Sequence, residues 1–160
     1  MISQFSGAVL DHTRTYRFML WRFWDDRPRM LFVGLNPSTA NELQDDPTIR
    51  RLCGFARDWG YGGLYACNLY PYITAYPKEL VKGEAHHKAN YPAIKMAGSL
   101  SVLTVVGWGD GIKLVPGGLT VADYVRGEYL SEPMCFGLTQ SGNPKHPLYL
   151  KKEADLMEYE

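Results

Sequence analysis

An apolar run early in the chain, Met30-Leu31-Phe32-Val33, restricts the possible folds more than any other segment. Successive side chains of a strand point to opposite faces, so a run without polar residues predicts a strand buried on both faces. We therefore predict a central strand over residues 29–34. The turn Gly34-Leu35-Asn36-Pro37-Ser38 follows, so this strand delivers an amide side chain to the carboxyl edge of a sheet. Open α/β sheets bind their ligands outside that edge.

Strand and helix patterns alternate along the chain, which predicts a three-layer α/β/α domain with a mainly parallel central sheet. We expect this single domain to span residues 1–160. The other strands are predicted from alternating or continuous apolar residues at 15–24, 63–69, 101–106 and 133–138. The strand at 15–24 is expected to pair antiparallel with the strand at 29–34 across the turn at 25–28.

One predicted helix has clear boundaries. Asp46 suits the N-cap, Pro47 suits the first helical position and Gly60 suits the end. Apolar residues recur between these points with helical spacing, which leaves Arg50 and Arg51 on the outer face. Further helices are predicted at 77–81, 86–100 and 120–126.

Composition excludes several classes of protein. The chain is 46% hydrophobic and 13% aromatic, which is typical of a globular protein with a core and not of a disordered one. No apolar run is long enough to span a bilayer, and the first ten residues do not resemble a signal peptide, so we expect a cytoplasmic protein. The 17 basic and 17 acidic residues give zero net charge, which argues against a broad surface for nucleic acid. Three widely spaced cysteines indicate neither a disulfide framework nor a zinc site, and we expect no metal and no cofactor.

Polar side chains follow several of the predicted strands. Asn68 lies at the end of the strand at 63–69, and a glycine-rich loop, Gly107-Trp108-Gly109-Asp110-Gly111, follows the strand at 101–106. His146 lies much later, in a loop framed by prolines. If these loops return to the same edge as Asn36, two amides and an imidazole form a site for a polar, planar ligand.

The motifs resemble those of the uracil-DNA glycosylase superfamily. Gly34-Leu35-Asn36-Pro37-Ser38 is similar to its first motif, His146-Pro147 is similar to the start of its second, and Asn68 lies where that superfamily has a base-reading asparagine. Ser38 stands where related branches have glycine, and Leu148 stands where they have serine. The long basic loop that wedges into duplex DNA is also missing, so a free nucleotide or a flipped base fits better than duplex invasion.

The whole chain more closely resembles a family of bacterial and phage proteins known only as a domain of unknown function, number 1643. The stretches Gly34–Ala40, Asp45–Arg51, Phe55–Gly62 and His146–Tyr149 carry this resemblance. It implies a protein of a bacterial or phage-infected cell.

The glycosylase resemblance implies a role for each candidate residue. Asn36 would place a water against an anomeric carbon, and His146 would donate to a pyrimidine carbonyl that gains charge as the base departs. Asn68 would read the edge of the base. Further base-binding candidates are Gly34, Pro37, Ser38, Tyr70 and Trp108, and the phosphate-binding candidates are Arg50, Arg51 and Lys145.

Structural roles for the same residues stay open. Asn36 and Asn68 are also suited to capping turns, and His146 to packing between two prolines. Either aromatic candidate is suited to core packing, and the arginines to a solvated helix face. One of Asp45 and Asp46 is expected to cap the helix, and the other is a candidate to act as a general base or to hold a sugar hydroxyl.

We therefore expect recognition of a pyrimidine base in DNA or in a nucleotide, with hydrolysis of its N-glycosidic bond as the most concrete reaction. One alternative is a transferase that modifies a 5-substituted thymine in phage DNA, since the same base pocket serves both reactions. Another is a noncatalytic protein that binds a nucleotide or a modified base.

Overall fold

The computed structural model describes residues 5–81 and 89–160, which form a seven-stranded sheet with helices. The strands are β1 (Phe5–Leu10), β2 (Arg17–Phe23), β3 (Arg29–Gly34), β4 (Gly63–Asn68), β5 (Leu103–Val106), β6 (Met134–Cys135) and β7 (Met157–Glu158). The α-helices are α1 (Pro47–Asp58), α2 (Asn90–Ser99) and α3 (Gly118–Tyr129). Short 3₁₀ helices include Pro77–Val81, Asp110–Leu114 and Pro147–Tyr149.

The α/β class is confirmed, but the sheet is mixed where we predicted a mainly parallel one. Its strand order is β1-β2-β4-β3-β5-β6-β7. The inner pairs β4–β3, β3–β5 and β5–β6 are parallel, whereas β1–β2, β2–β4 and β6–β7 are antiparallel. The antiparallel strands therefore flank a parallel centre that contains β3.

The predicted pairing of β2 with β3 is wrong, because β4 lies between them. The backbone N–H groups of Trp24 and Asp25, just after β2, both donate to the carbonyl oxygen of Gly62, just before β4. A Cβ on Gly62 would lie 2.5 Å from the carbonyl oxygen of Arg27, so glycine allows the two connections to pass closely. The turn at 25–28 thus leads the chain past the position that β4 fills.

Two hydrophobic clusters lie on opposite faces of β3, which is buried on both faces as predicted. Leu31 and Val33 belong to the cluster that includes α2 and α3. Met30 and Phe32 belong to the cluster that includes α1. Alternate residues of β3 therefore anchor helices on both sides of the sheet.

Helix α1 begins as predicted, with Asp46 as N-cap and Pro47 in the first turn. The Asp46 carboxylate accepts a hydrogen bond from the Ile49 backbone N–H at 2.9 Å, and Gly60 has a φ of 86° just beyond the helix end. Other predicted elements have different lengths. The strand predicted at 133–138 is only two residues long, and the helix predicted at 86–100 is Asn90–Ser99, with 86–88 outside the described residues. No helix in the ranges 5–81 and 89–160 is long and apolar enough to cross a membrane.

Candidate functional site

A cavity of about 340 Å³ lies where β3, β4 and β5 end. Its volume is in the range of small-molecule sites. The segments that follow the three strands line it, together with the first residues of α1 and His146. The predicted residues that line it are Gly34, Asn36, Pro37, Ser38, Asn68, Trp108 and His146.

Backbone hydrogen bonds hold the loops around this cavity together. The N–H groups of Leu69 and Tyr70 donate to the carbonyl oxygens of Gly34 and Leu35, both at 2.9 Å. The chain after β4 therefore follows the chain after β3 for two residues beyond the sheet. This continuation fixes the position of the Asn-Pro turn relative to Asn68.

The Asn36 amide has a defined orientation. Its Nδ2 donates to the carbonyl oxygens of Thr74 at 2.7 Å and Pro37 at 3.0 Å. The bond to the Pro37 carbonyl stabilises the turn, as expected if Asn36 has a structural role. Both bonds use the amino group, so Oδ1 keeps its capacity to accept a hydrogen bond from a water or a ligand.

Asn68 and Gly34 lie in close contact at the ends of neighbouring strands. A Cβ on Gly34 would lie 2.9 Å from Oδ1 of Asn68, so only glycine leaves this amide in place without a shift. Asn68 is buried, and its backbone carbonyl accepts a hydrogen bond from Asn90 Nδ2 at 3.0 Å. Gly34 therefore leaves the space that the Asn68 amide occupies, in addition to lining the cavity.

His146 is held as a neutral donor. Its Nδ1 accepts a hydrogen bond from the Leu148 backbone N–H at 3.2 Å, which places the proton of the neutral ring on Nε2. Burial lowers the pKa of His146 below its ordinary value, while the Asp46 carboxylate acts in the opposite direction. Gly109 has a φ of 66° and donates its N–H to the Pro144 carbonyl at 2.8 Å, so the glycine-rich loop supports the histidine loop.

Three charged residues that were not predicted as ligand-binding residues also line the cavity: Arg17, Asp46 and Asp110. Burial lowers the pKa of Arg17 to about 10, so its guanidinium is still protonated at neutral pH. Hydrogen bonds from Asn143 and Thr139 hold the pKa of Asp110 below its ordinary range. The sequence signal for Arg17 was a charged residue within a strand rich in aromatic residues. The alternation of side chains along a strand does not show which residues lie opposite that arginine.

Tyr70, Trp108 and Asp45 are not suited to the roles predicted for them. Tyr70 is fully buried in the hydrophobic core and does not line the cavity, and burial raises its pKa to about 12. Trp108 lines the wall, but it is almost fully buried and packs edge-to-face on Tyr159, so it exposes little surface for stacking. Asp45, the candidate general base, forms an ion pair with Arg22 at 2.8 Å.

The three predicted phosphate-binding residues are also outside the cavity. Arg50 and Arg51 line a separate groove with Lys152. They follow Ile49, which lines the cavity, and successive residues of a helix point in different directions, so both arginines point away from the cavity. The Arg51 guanidinium lies over the Phe55 ring, 5.2 Å from its centroid. Lys145 is exposed, and its side chain lies beside Gly137.

Comparison with known proteins identifies a family but no characterised relative. No curated protein and no solved structure matches the chain. The model of one family, described as a protein of unknown function (DUF1643), matches residues 17–148. This match includes every residue described above as lining the cavity. The chain therefore belongs to the DUF1643 family.

Proposed function

We propose that the cavity binds a pyrimidine base, in DNA or in a nucleotide, and that the protein hydrolyses its N-glycosidic bond. One observation carries the proposal: Asn36, Asn68 and His146 line the same cavity at the carboxyl ends of neighbouring parallel strands. The site offers amide and imidazole groups and no metal-binding cluster within the described residues. These groups suit a planar ligand whose edge carries both donors and acceptors.

The proposed reaction needs little base strength. The departing base takes the bonding electron pair and leaves an oxocarbenium-like centre on the sugar. A water aligned by Asn36 Oδ1 attacks this centre and loses a proton to the departed base or to solvent. An amide does not ionise, so Asn36 acts by orienting this water. The amide is suited to that task because its amino group is already fixed by two backbone carbonyls.

His146 stabilises the leaving group in this mechanism. Its neutral ring carries a proton on Nε2 and donates it as a hydrogen bond to the carbonyl oxygen that becomes negative. The Asn68 amide, buried beside Gly34, pairs with the edge of the base.

We also propose that the domain has a uracil-DNA-glycosylase-like fold. Two features support this: helices pack on both faces of the sheet, and the cavity lies beyond the parallel strands at its centre. The antiparallel strands β1, β2 and β7 are departures from the expected layout.

A noncatalytic binding protein is the second candidate, and specific contacts favour it. Asn36 and His146 both make hydrogen bonds within their own turns, to the Pro37 carbonyl and from the Leu148 N–H. Such contacts are those of residues that shape a loop. The transferase alternative uses the same cavity, and only the reaction product separates it from hydrolysis.

The test is incubation with oligonucleotides and free nucleotides that carry normal or modified pyrimidines, followed by mass spectrometry. Release of a base supports hydrolysis, a gain in mass supports transfer, and retention of an unchanged ligand supports binding alone. Asn36→Ala and His146→Ala should lower turnover on the order of a hundredfold or more. Arg50→Ala, outside the cavity, is the matched control. No change and no binding across the panel would contradict the proposal.

A further inference from the structure

Two arginines of β2 are buried, and their charges are met in different ways. Arg22 Nε forms an ion pair with Asp45 at 2.8 Å. Its Nη1 donates to the Trp21 carbonyl at 2.8 Å, and its Nη2 donates to the Gln44 carbonyl at 3.1 Å. The guanidinium of Arg22 is thus surrounded by acceptors, and it ties the long loop before α1 to the sheet.

Arg17 lacks such a set of partners. It is 4% exposed, and its guanidinium makes one hydrogen bond to the residues that the structure describes, from Nη1 to the Ala40 carbonyl at 2.9 Å. Nε is buried without a hydrogen-bond partner, and no carboxylate in 5–81 or 89–160 forms an ion pair with this side chain. A buried charge is costly unless ionic and hydrogen-bonding partners compensate it.

The acidic residues of the cavity are already engaged. Asp46 accepts hydrogen bonds from the backbone N–H groups of Ile49 and Ala40, at 2.9 and 3.3 Å, and its charge faces the positive N-terminus of α1. Asp110 lies at the exposed rim and accepts from Thr139 and Asn143. Arg17 is the sole arginine or lysine among the described residues that line the cavity.

We propose that Arg17 binds an oxyanion of the ligand that enters this cavity. A guanidinium has only donors, so the group that faces it must present acceptor oxygens. Phosphate, carboxylate and the ionised edge of a base share this chemistry. Burial lowers the pKa of Arg17 and the Asp46 carboxylate raises it, but the two side chains form no ion pair. The inference goes beyond the proposed function, because this guanidinium can bind an oxyanion whether or not the ligand contains a pyrimidine.

The test is a calorimetric titration at low ionic strength with three probes: inorganic phosphate, barbiturate and uracil. Barbiturate is a planar pyrimidine ring that is anionic at neutral pH, and uracil is its neutral counterpart. Wild type, Arg17→Gln and Arg17→Lys are compared, with Arg51→Gln as a control that changes a positive charge outside the cavity. Salt is kept low because screening weakens charge interactions.

We expect at least one anion to bind wild type and Arg51→Gln equally, and to bind Arg17→Gln about thirtyfold or more weakly. If Arg17→Gln does not fold, Arg17→Lys serves, and a loss of at least about tenfold is expected because an ammonium lacks the planar fork. Phosphate alone would identify a phosphoryl ligand, and barbiturate alone would identify an ionised base.

Failure of both anions to bind wild type, or equal binding of the anion by wild type and the folded Arg17 variants, would overturn the inference. The outcome is separable from that of the proposed function. Phosphate bound through Arg17 without recognition of any pyrimidine supports the anion site and contradicts pyrimidine chemistry. Binding of uracil, without binding of any anion through Arg17, supports pyrimidine recognition and contradicts the anion site.

Discussion

The cavity and the outer face of α1 both carry polar residues, but only the cavity holds them in fixed orientations. Asn36 and His146 are each anchored by hydrogen bonds to or from the backbone. Arg50 is exposed, and its one hydrogen bond to the described residues, to the Asp45 carbonyl, is long at 3.4 Å. A functional site needs side chains that are oriented before the ligand arrives, whereas a mobile surface charge is screened by solvent and salt.

The largest effect that would sharpen this comparison is expected at Asn36 and His146. Replacing either with alanine should lower turnover on the order of a hundredfold or more, because each removes a preorganised polar contact to the reacting atoms. Turnover is measured with the substrate found by mass spectrometry, and folding is checked by thermal melting monitored by circular dichroism. Equal activity in both folded variants would break the distinction between cavity and surface.

A moderate effect is expected from Gly34→Ala. The new Cβ would lie 2.9 Å from Asn68 Oδ1 and 3.0 Å from the Phe32 ring, so the amide must shift and ligand affinity should fall. Overpacking of this kind costs about 1–3 kcal/mol of unfolding free energy. Gly54→Ala is the control: its Cβ meets nothing within 4 Å, and alanine in a helix should add up to about 1 kcal/mol. Urea unfolding of both variants measures the difference, and equal destabilisation would contradict the account.

A smaller effect concerns pH. Burial lowers the folded-state pKa of His146, so the unfolded chain takes up a proton first as the pH falls. The stability associated with the neutral ring is therefore present above the unfolded pKa of about 6.5 and is lost as the pH falls toward the folded value. Unfolding free energies measured from neutral to acidic pH should fall less steeply for His146→Ala than for wild type. Parallel curves would show that the ring is not buried as described.

The smallest effects are expected on the outer face of α1. Arg50→Ala should change unfolding free energy by only about 0.5 kcal/mol, because Arg50 is exposed. Arg51→Ala should cost about 1 kcal/mol, because the Arg51 guanidinium lies over the Phe55 ring and its Nε is buried. Both variants should leave turnover near wild type. Binding to unmodified duplex DNA should be weak, with a slope of log affinity against log salt on the order of two to four. A titration across a salt series measures this slope. Tight binding with a steep slope that either variant reduces would make this face a DNA-binding surface.

Local signals predicted the parts of the fold that local chemistry controls. The bounds of β3 and the start of α1 agree with the structure because an apolar run, an N-cap and a proline act over a few residues. The position of β4 between β2 and β3 depends on contacts between segments about 40 residues apart, which no local pattern contains. Strands β1 and β7 were missed because each includes exposed residues and lies at an edge of the sheet.

Some residues of the candidate site could also be predicted from local patterns, and others could not. Asn36 and Asn68 were accessible to prediction because each lies at or just beyond the end of a strand, and the carboxyl ends of parallel neighbours meet at one edge. Tyr70 lies two residues beyond Asn68, but the loop directs its side chain into the hydrophobic core and not into the cavity. The sequence pattern does not show this direction. Arg17 was missed because the burial of its side chain, with Nε lacking a hydrogen-bond partner among the described residues, is a property of the packed molecule.

The most direct test of the cavity as the binding site is an NMR titration of ¹⁵N-labelled protein with deoxyuridine and thymidine. We predict that the side-chain amide signals of Asn36 and Asn68 shift together with the backbone signals of Gly109 and His146. Signals from Gly54 and Asp58, on the groove of Arg50 and Arg51, should not move. Shifts centred on that groove, or no shifts with either nucleoside, would contradict the account.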